Sequence, residues 1–142
     1  MEFDQLLAYL FRWIHMFAGV AWIGLLYYFN FVQTEYFKEA EAPAKASAID
    51  KLVPRALWWF RYGALFTFLS GLALAGYLGG AVNFYITVGI VLGTLMFLNV
   101  WLIIWPNQKV VIASNAQVLA GSEAIPDAAA AQAKAGLASR TN

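Results

Sequence analysis

Three long apolar runs dominate the chain, from about Leu6 to Val32, from Ala56 to Leu78 and from Val82 to Trp105. A helix rises 1.5 Å per residue, so each run is long enough to cross a hydrocarbon core of about 30 Å. Backbone polar groups in lipid must find partners within the protein, and three runs supply too few strands to close a barrel, so the runs predict helices. The expected fold is therefore all-α and integral to the membrane. A transmembrane helical domain covers 1–105, with spans at about 6–32, 56–78 and 82–105, and a tail covers 106–142. Composition agrees, since 12% of residues are charged and 62% hydrophobic, against about 25% charged in soluble domains. The net charge of +1 gives no sign of a nucleic-acid partner. Cysteine is absent, which excludes disulfides and thiolate-ligated metals. The acidic start, Met1-Glu2-Phe3-Asp4, enters the first span with no small-residue cleavage site and reads as a retained anchor.

Only Gly79-Gly80-Ala81 separates the second and third runs, which predicts a tight antiparallel hairpin. The connection from Gln33 to Arg55 is rich in charge, and Glu35, Lys38 and Glu39 stand at helical spacing. The first helix should thus continue a turn or two into water, as far as Pro43. Lys38, Lys45, Lys51 and Arg55 lie in this loop and Lys109, Lys134 and Arg140 in the tail, with no cation in the hairpin turn. The positive-inside rule then places loop and tail in the cytoplasm and the N-terminus outside. Trp13, Trp58, Trp59 and Trp105 near span ends fit interfacial belts. Pro106-Asn107-Gln108 is expected to end the third helix or turn it along the surface, and Asp127 to Ala138 to form a short, loosely held helix.

Polar residues inside the spans carry what the sequence says about function. His15 is the single histidine, and an imidazole in hydrocarbon marks either a contact between helices or a site. Arg12, His15, Gly19 and Trp22, spaced by 3, 4 and 3, form one stripe on the first helix. Gly19 there leaves room for a flat ligand or for a close partner helix. Arg61, a few residues into the second span, is expected to snorkel to the surface or to meet an anion such as a propionate. Asn99 in the third span reads as hydrogen-bonding glue, and Gly89 with Gly93 as a small-residue packing pair. No span contains a carboxylate.

These residues restrict the chemistry. One histidine without cysteine or intramembrane carboxylates cannot build a zinc, di-iron or multi-ligand copper site from one copy, and the histidine has no carboxylate to orient it for hydrolysis. Haem b asks for less: one or two axial ligands, apolar walls, and cations for its propionates. His15 would be the iron ligand, Arg12 or Arg61 the propionate contact, and Gly19 the clearance. A second axial ligand would have to come from Met16, Met96, another copy or another chain.

Three segments carry a resemblance. Arg12 to Gly24, with the pattern H-x3-G-x2-W-x-G, then Ala56 to Ala64 (Ala-Leu-Trp-Trp-Phe-Arg-Tyr-Gly-Ala), then Phe97 to Lys109 (Phe-Leu-Asn-Val-Trp-Leu-Ile-Ile-Trp-Pro-Asn-Gln-Lys) resemble the membrane domain of the urate oxidase N-terminal family. That family includes bacterial membrane-bound urate hydroxylases whose membrane domain precedes a cytochrome c. The first segment is also similar to the first helix of bacterial membrane protoporphyrinogen oxidases and of copper-resistance D-type membrane proteins, where haem handling is a theme. The resemblance covers most of residues 8 to 112. It implies a bacterial inner-membrane location, an oxidoreductase role and electron transfer to cytochrome c. The chain lacks the Cys-x-x-Cys-His haem attachment and the further helices of the family, and its last residues, Ser139-Arg140-Thr141-Asn142, resemble the stretch before a next helix. The expected function is a small redox or haem-associated membrane subunit acting with other membrane subunits or as a homo-oligomer. The alternative is a structural subunit without a cofactor.

Overall fold

The computed structural model describes residues 3–142; Met1 and Glu2, the start of the expected anchor, lie outside them. Five helices and no strand occur among the described residues. Helix α1 covers Phe3–Glu39, and α2 covers Ala42–Lys51. Helix α3 covers Val53–Leu78, α4 covers Phe84–Leu119, and α5 covers Ala128–Thr141. The helices α1, α3 and α4 are long and apolar enough to cross a membrane, and the protein is accordingly integral to one.

Breaks fall where the local chemistry demands them. Helix α1 runs on to Glu39, with the exposed Lys38–Glu35 pair at 2.7 Å, and the chain turns extended at Ala40 and Glu41 before Pro43 opens α2. The hairpin turn is a 3-10 segment, Gly79–Ala81, entered through Gly79 at φ +50°, a conformation that favours glycine. Asn83 then caps α4, its side-chain oxygen accepting from the Ile86 amide at 3.1 Å.

Pro106 does not end the third helix, contrary to the sequence expectation. A π-helical segment, Val100–Ile104, precedes it, and the Trp105 amide donates to Val100, five residues back. This wide turn takes in a residue whose ring would clash with a regular turn and which has no amide hydrogen to give. The Asn107 side-chain amide donates to the Ile103 carbonyl at 2.7 Å. Helix α4 thus continues to Leu119.

Helices α1 and α3 form an antiparallel pair in contact along most of their length. From one end to the other, Phe11 meets Tyr77, His15 meets Gly71, Gly19 meets Thr67, Trp22 meets Gly63, and Phe29 meets Phe60. Gly63 lies directly against the α1 backbone, since a Cβ there would lie 3.2 Å from the Trp22 amide nitrogen and 3.3 Å from the Ala18 carbonyl oxygen. Absence of a side chain lets the two backbones meet. At the end near the α1–α3 connection, α4 and α5 join the pair. Trp22, Leu26, Val53, Leu57, Phe60, Ala64, Val100, Ile104 and Ala138 form the buried core there. Phe68 stacks on Phe97 with ring centres 4.3 Å apart.

The tail is anchored, not loose. Ala131, Ala135 and Ala138 form a buried small-residue face on α5, one to two turns apart, which permits close approach to α4. Asn99 donates to the Ala138 carbonyl at 2.9 Å and to the Asn142 side chain at 2.7 Å, while Asn30 donates to the Ser139 hydroxyl at 2.8 Å. Tertiary packing supplies what a short alanine-rich helix lacks alone. Loop and tail lie on one side of the bundle, since Asn115 donates to the Ala46 carbonyl at 3.0 Å.

Candidate functional site

His15 projects from α1 onto α3, where three residues receive it. Its Nδ1 lies 2.9 Å from the Thr67 carbonyl oxygen and 3.3 Å from the Ser70 hydroxyl. A carbonyl can only accept, so Nδ1 carries the proton and donates it. The ring rests on Gly71, where a Cβ would come within 3.0 Å of Cε1. Thr67 and Ser70 are themselves held down, the Thr67 hydroxyl donating to the Gly63 carbonyl at 2.7 Å and the Ser70 hydroxyl to Phe66 and Thr67 carbonyls. The imidazole is thereby fixed in tautomer and orientation by one turn of α3.

With Nδ1 engaged as the donor, Nε2 is the ring nitrogen left to take a ligand. That nitrogen has no hydrogen-bond partner among the described residues, and His15 lines a cavity of about 330 Å³ between α1, α3 and α4. The cavity exists because α4 departs from the pair beyond the core: between Phe84 and Asn99 it has no buried residue. Its walls include Phe68, Leu72, Leu78, Ile86 and Ile90. Trp22 closes the inner end; it is 3% exposed, and its indole N–H is buried without an acceptor. The cavity wall is thus largely apolar, with His15, Thr67 and Thr94 contributing polar side chains.

The other residues of the sequence stripe divide. Gly19 faces Thr67 at ordinary contact distance, 3.8 Å from a Cβ, and belongs to the α1–α3 seam. Arg12 is exposed and makes no hydrogen bond or ion pair among the described residues. Arg61 lies outside the cavity, with its guanidinium 3.5 Å over the Trp105 ring and its Nε donating to the Leu57 carbonyl at 3.3 Å. Gly89 and Gly93 line the cavity, where a Cβ would meet nothing within 4 Å, and pack on no helix of this chain. Asn99 joins helices, its partner being α5. Met16 is exposed, and Met96 packs against the core, so neither lines the His15 cavity.

Thr67, Ser70 and Asn30 escaped the sequence reading. The small residues Thr67, Ser70 and Gly71, a turn apart on one face of α3 and two of them hydroxylic, were the available signal for a histidine seat. Among the described residues no group of three or more histidine, cysteine or acidic side chains converges. A single imidazole in a largely apolar wall fits a group that takes one ligand from this chain, as haem does. No family model matches the chain, and neither curated proteins nor solved structures give a match.

Proposed function

We propose that this chain is a small integral-membrane redox subunit that holds haem b between α1, α3 and α4, with His15 Nε2 as the axial ligand. The observation that carries the reading is the hydrogen bond from Nδ1 to the Thr67 carbonyl, which leaves Nε2 as the nitrogen available to a ligand on a histidine that lines a largely apolar cavity. Ligating histidines are commonly oriented by such a bond through their other ring nitrogen, which also raises their basicity. Gly71 gives the ring its position, and Trp22 contributes to the cavity wall. Bound haem would supply one-electron transfer. The cavity lining has no cation and no second ligand, so both would come from a partner chain or a second copy. Resemblance to the membrane domain of the urate oxidase N-terminal family supports a urate-hydroxylase-type oxidoreductase passing electrons to a cytochrome c in a bacterial inner membrane. The distribution of lysine and arginine supports an external N-terminus and a cytoplasmic tail.

Purified protein is expected to give a Soret band that disappears in His15→Ala while the helical circular dichroism persists. No Soret band in the native preparation or after addition of haemin would refute the proposal. The unburied face of α4 between Phe84 and Asn99 favours one other reading, a structural subunit packing in a larger complex. In that case His15→Leu leaves assembly and activity of the complex intact.

A further inference from the structure

Arg61 and Lys109 share one indole. The Arg61 guanidinium carbon lies 3.5 Å from the centre of the Trp105 ring, and the Lys109 ammonium lies 5.6 Å from the same centre. The only ion pair among the described residues joins Lys38 to Glu35, so neither cation has a carboxylate. Stacking engages the face of the guanidinium and leaves its in-plane donors directed elsewhere. One of these, Nε, reaches the Leu57 carbonyl; the terminal nitrogens have no partner among the described residues. Two cations at one indole, neither paired with a carboxylate, favour an anion within reach of both.

The position of the pair identifies the anion. Trp105 closes the third apolar run, and Lys109, one turn further along α4, is exposed. Trp58 and Trp59 stand near the start of α3, 47% and 62% exposed, as interfacial tryptophans do. At that level a fork of guanidinium donors beside an ammonium matches a phosphodiester, which is the chemistry of basic pockets between membrane helices.

We propose that Arg61 and Lys109, organised by Trp105, form a binding site for the phosphate of an anionic phospholipid. The proposal is independent of haem. It is tested on the full chain in detergent by native mass spectrometry and thermal unfolding, with phosphatidylglycerol, phosphatidylcholine and inorganic phosphate as probes. Phosphatidylglycerol is expected to bind and to raise the unfolding temperature, with affinity falling as salt is added. Removing one interfacial cation costs about five-fold in affinity, so Arg61→Gln and Lys109→Gln should each weaken it by about that factor. Lys109 is exposed, so its variant reports on binding even if Arg61→Gln perturbs the fold. Arg12→Gln, at an exposed arginine of α1 near the opposite end of the α1–α3 pair, should leave binding unchanged. Equal loss in Arg12→Gln, equal binding of phosphatidylcholine, or the full effect from inorganic phosphate would each overturn the lipid site.

Discussion

Replacing Gly63 with alanine sets a methyl group 3.2 Å from the Trp22 amide nitrogen, 3.3 Å from the Ala18 carbonyl oxygen and 3.4 Å from the Trp22 Cα. All three atoms are backbone, so no side chain can swing aside, and α1 and α3 must separate by a few tenths of an ångström. Overpacking of this kind costs about 1–3 kcal/mol. Alanine's better helix propensity recovers about 1 kcal/mol, leaving a net loss of roughly 1 kcal/mol. Gly76 on the same helix is the control, since a Cβ there meets nothing within 4 Å and its alanine variant should be neutral or slightly stabilised. Gly19→Ala, at 3.8 Å from Thr67, should also be tolerated. The assay is unfolding in mixed micelles with increasing sodium dodecyl sulfate, followed by circular dichroism. If Gly63→Ala unfolds at or beyond the midpoint of Gly76→Ala, the close seam between α1 and α3 is not what holds the pair.

Two further substitutions probe the histidine seat and the tail. In Gly71→Ala the new methyl presses on His15 at 3.0 Å from Cε1; because a ring displaced from its ligand geometry loses most of its binding, haemin affinity should fall at least about ten-fold with helicity unchanged. Unchanged affinity would mean that Gly71 does not position the ring. Asn99→Leu removes two of the hydrogen bonds that hold the end of α5, at a cost of about 1–2 kcal/mol. Amides between 128 and 141 should then exchange faster, whereas unchanged protection would show that the alanine face and the Asn30–Ser139 bond suffice to retain the helix.

The three spans were legible because hydrophobic length is a property of the sequence itself, and the hairpin because a three-residue connection, with glycine free to take φ +50°, can only turn the chain back. Pro106 misled because a π turn can absorb a proline, and nothing in Val100 to Ile104 announces one. The tail was hidden for a related reason: Ala131, Ala135 and Ala138 become a docking face only against α4, and the asparagines at 30 and 99 find acceptors 109 and 39 residues away. His15 stood out in the sequence as an expensive group. Its main partner did not, because the Thr67 carbonyl is backbone and leaves no trace in residue identity. Gly89 and Gly93 have the spacing of a packing pair, yet α4 diverges at their level and they border open space instead.

The state of the imidazole decides whether His15 can serve as a ligand, and one histidine makes it observable without ambiguity. Nitrogen-15 magnetic resonance of the histidine-labelled, cofactor-free chain in micelles at neutral to mildly alkaline pH reads the two ring nitrogens separately. The expected spectrum has the proton on Nδ1, coupled through its hydrogen bond to the Thr67 carbonyl, and an unprotonated Nε2 whose signal shifts when haemin is added. A proton on Nε2 with Nδ1 bare, or an Nε2 signal that haemin leaves unmoved, would contradict the assignment of His15 as the ligand this fold presents.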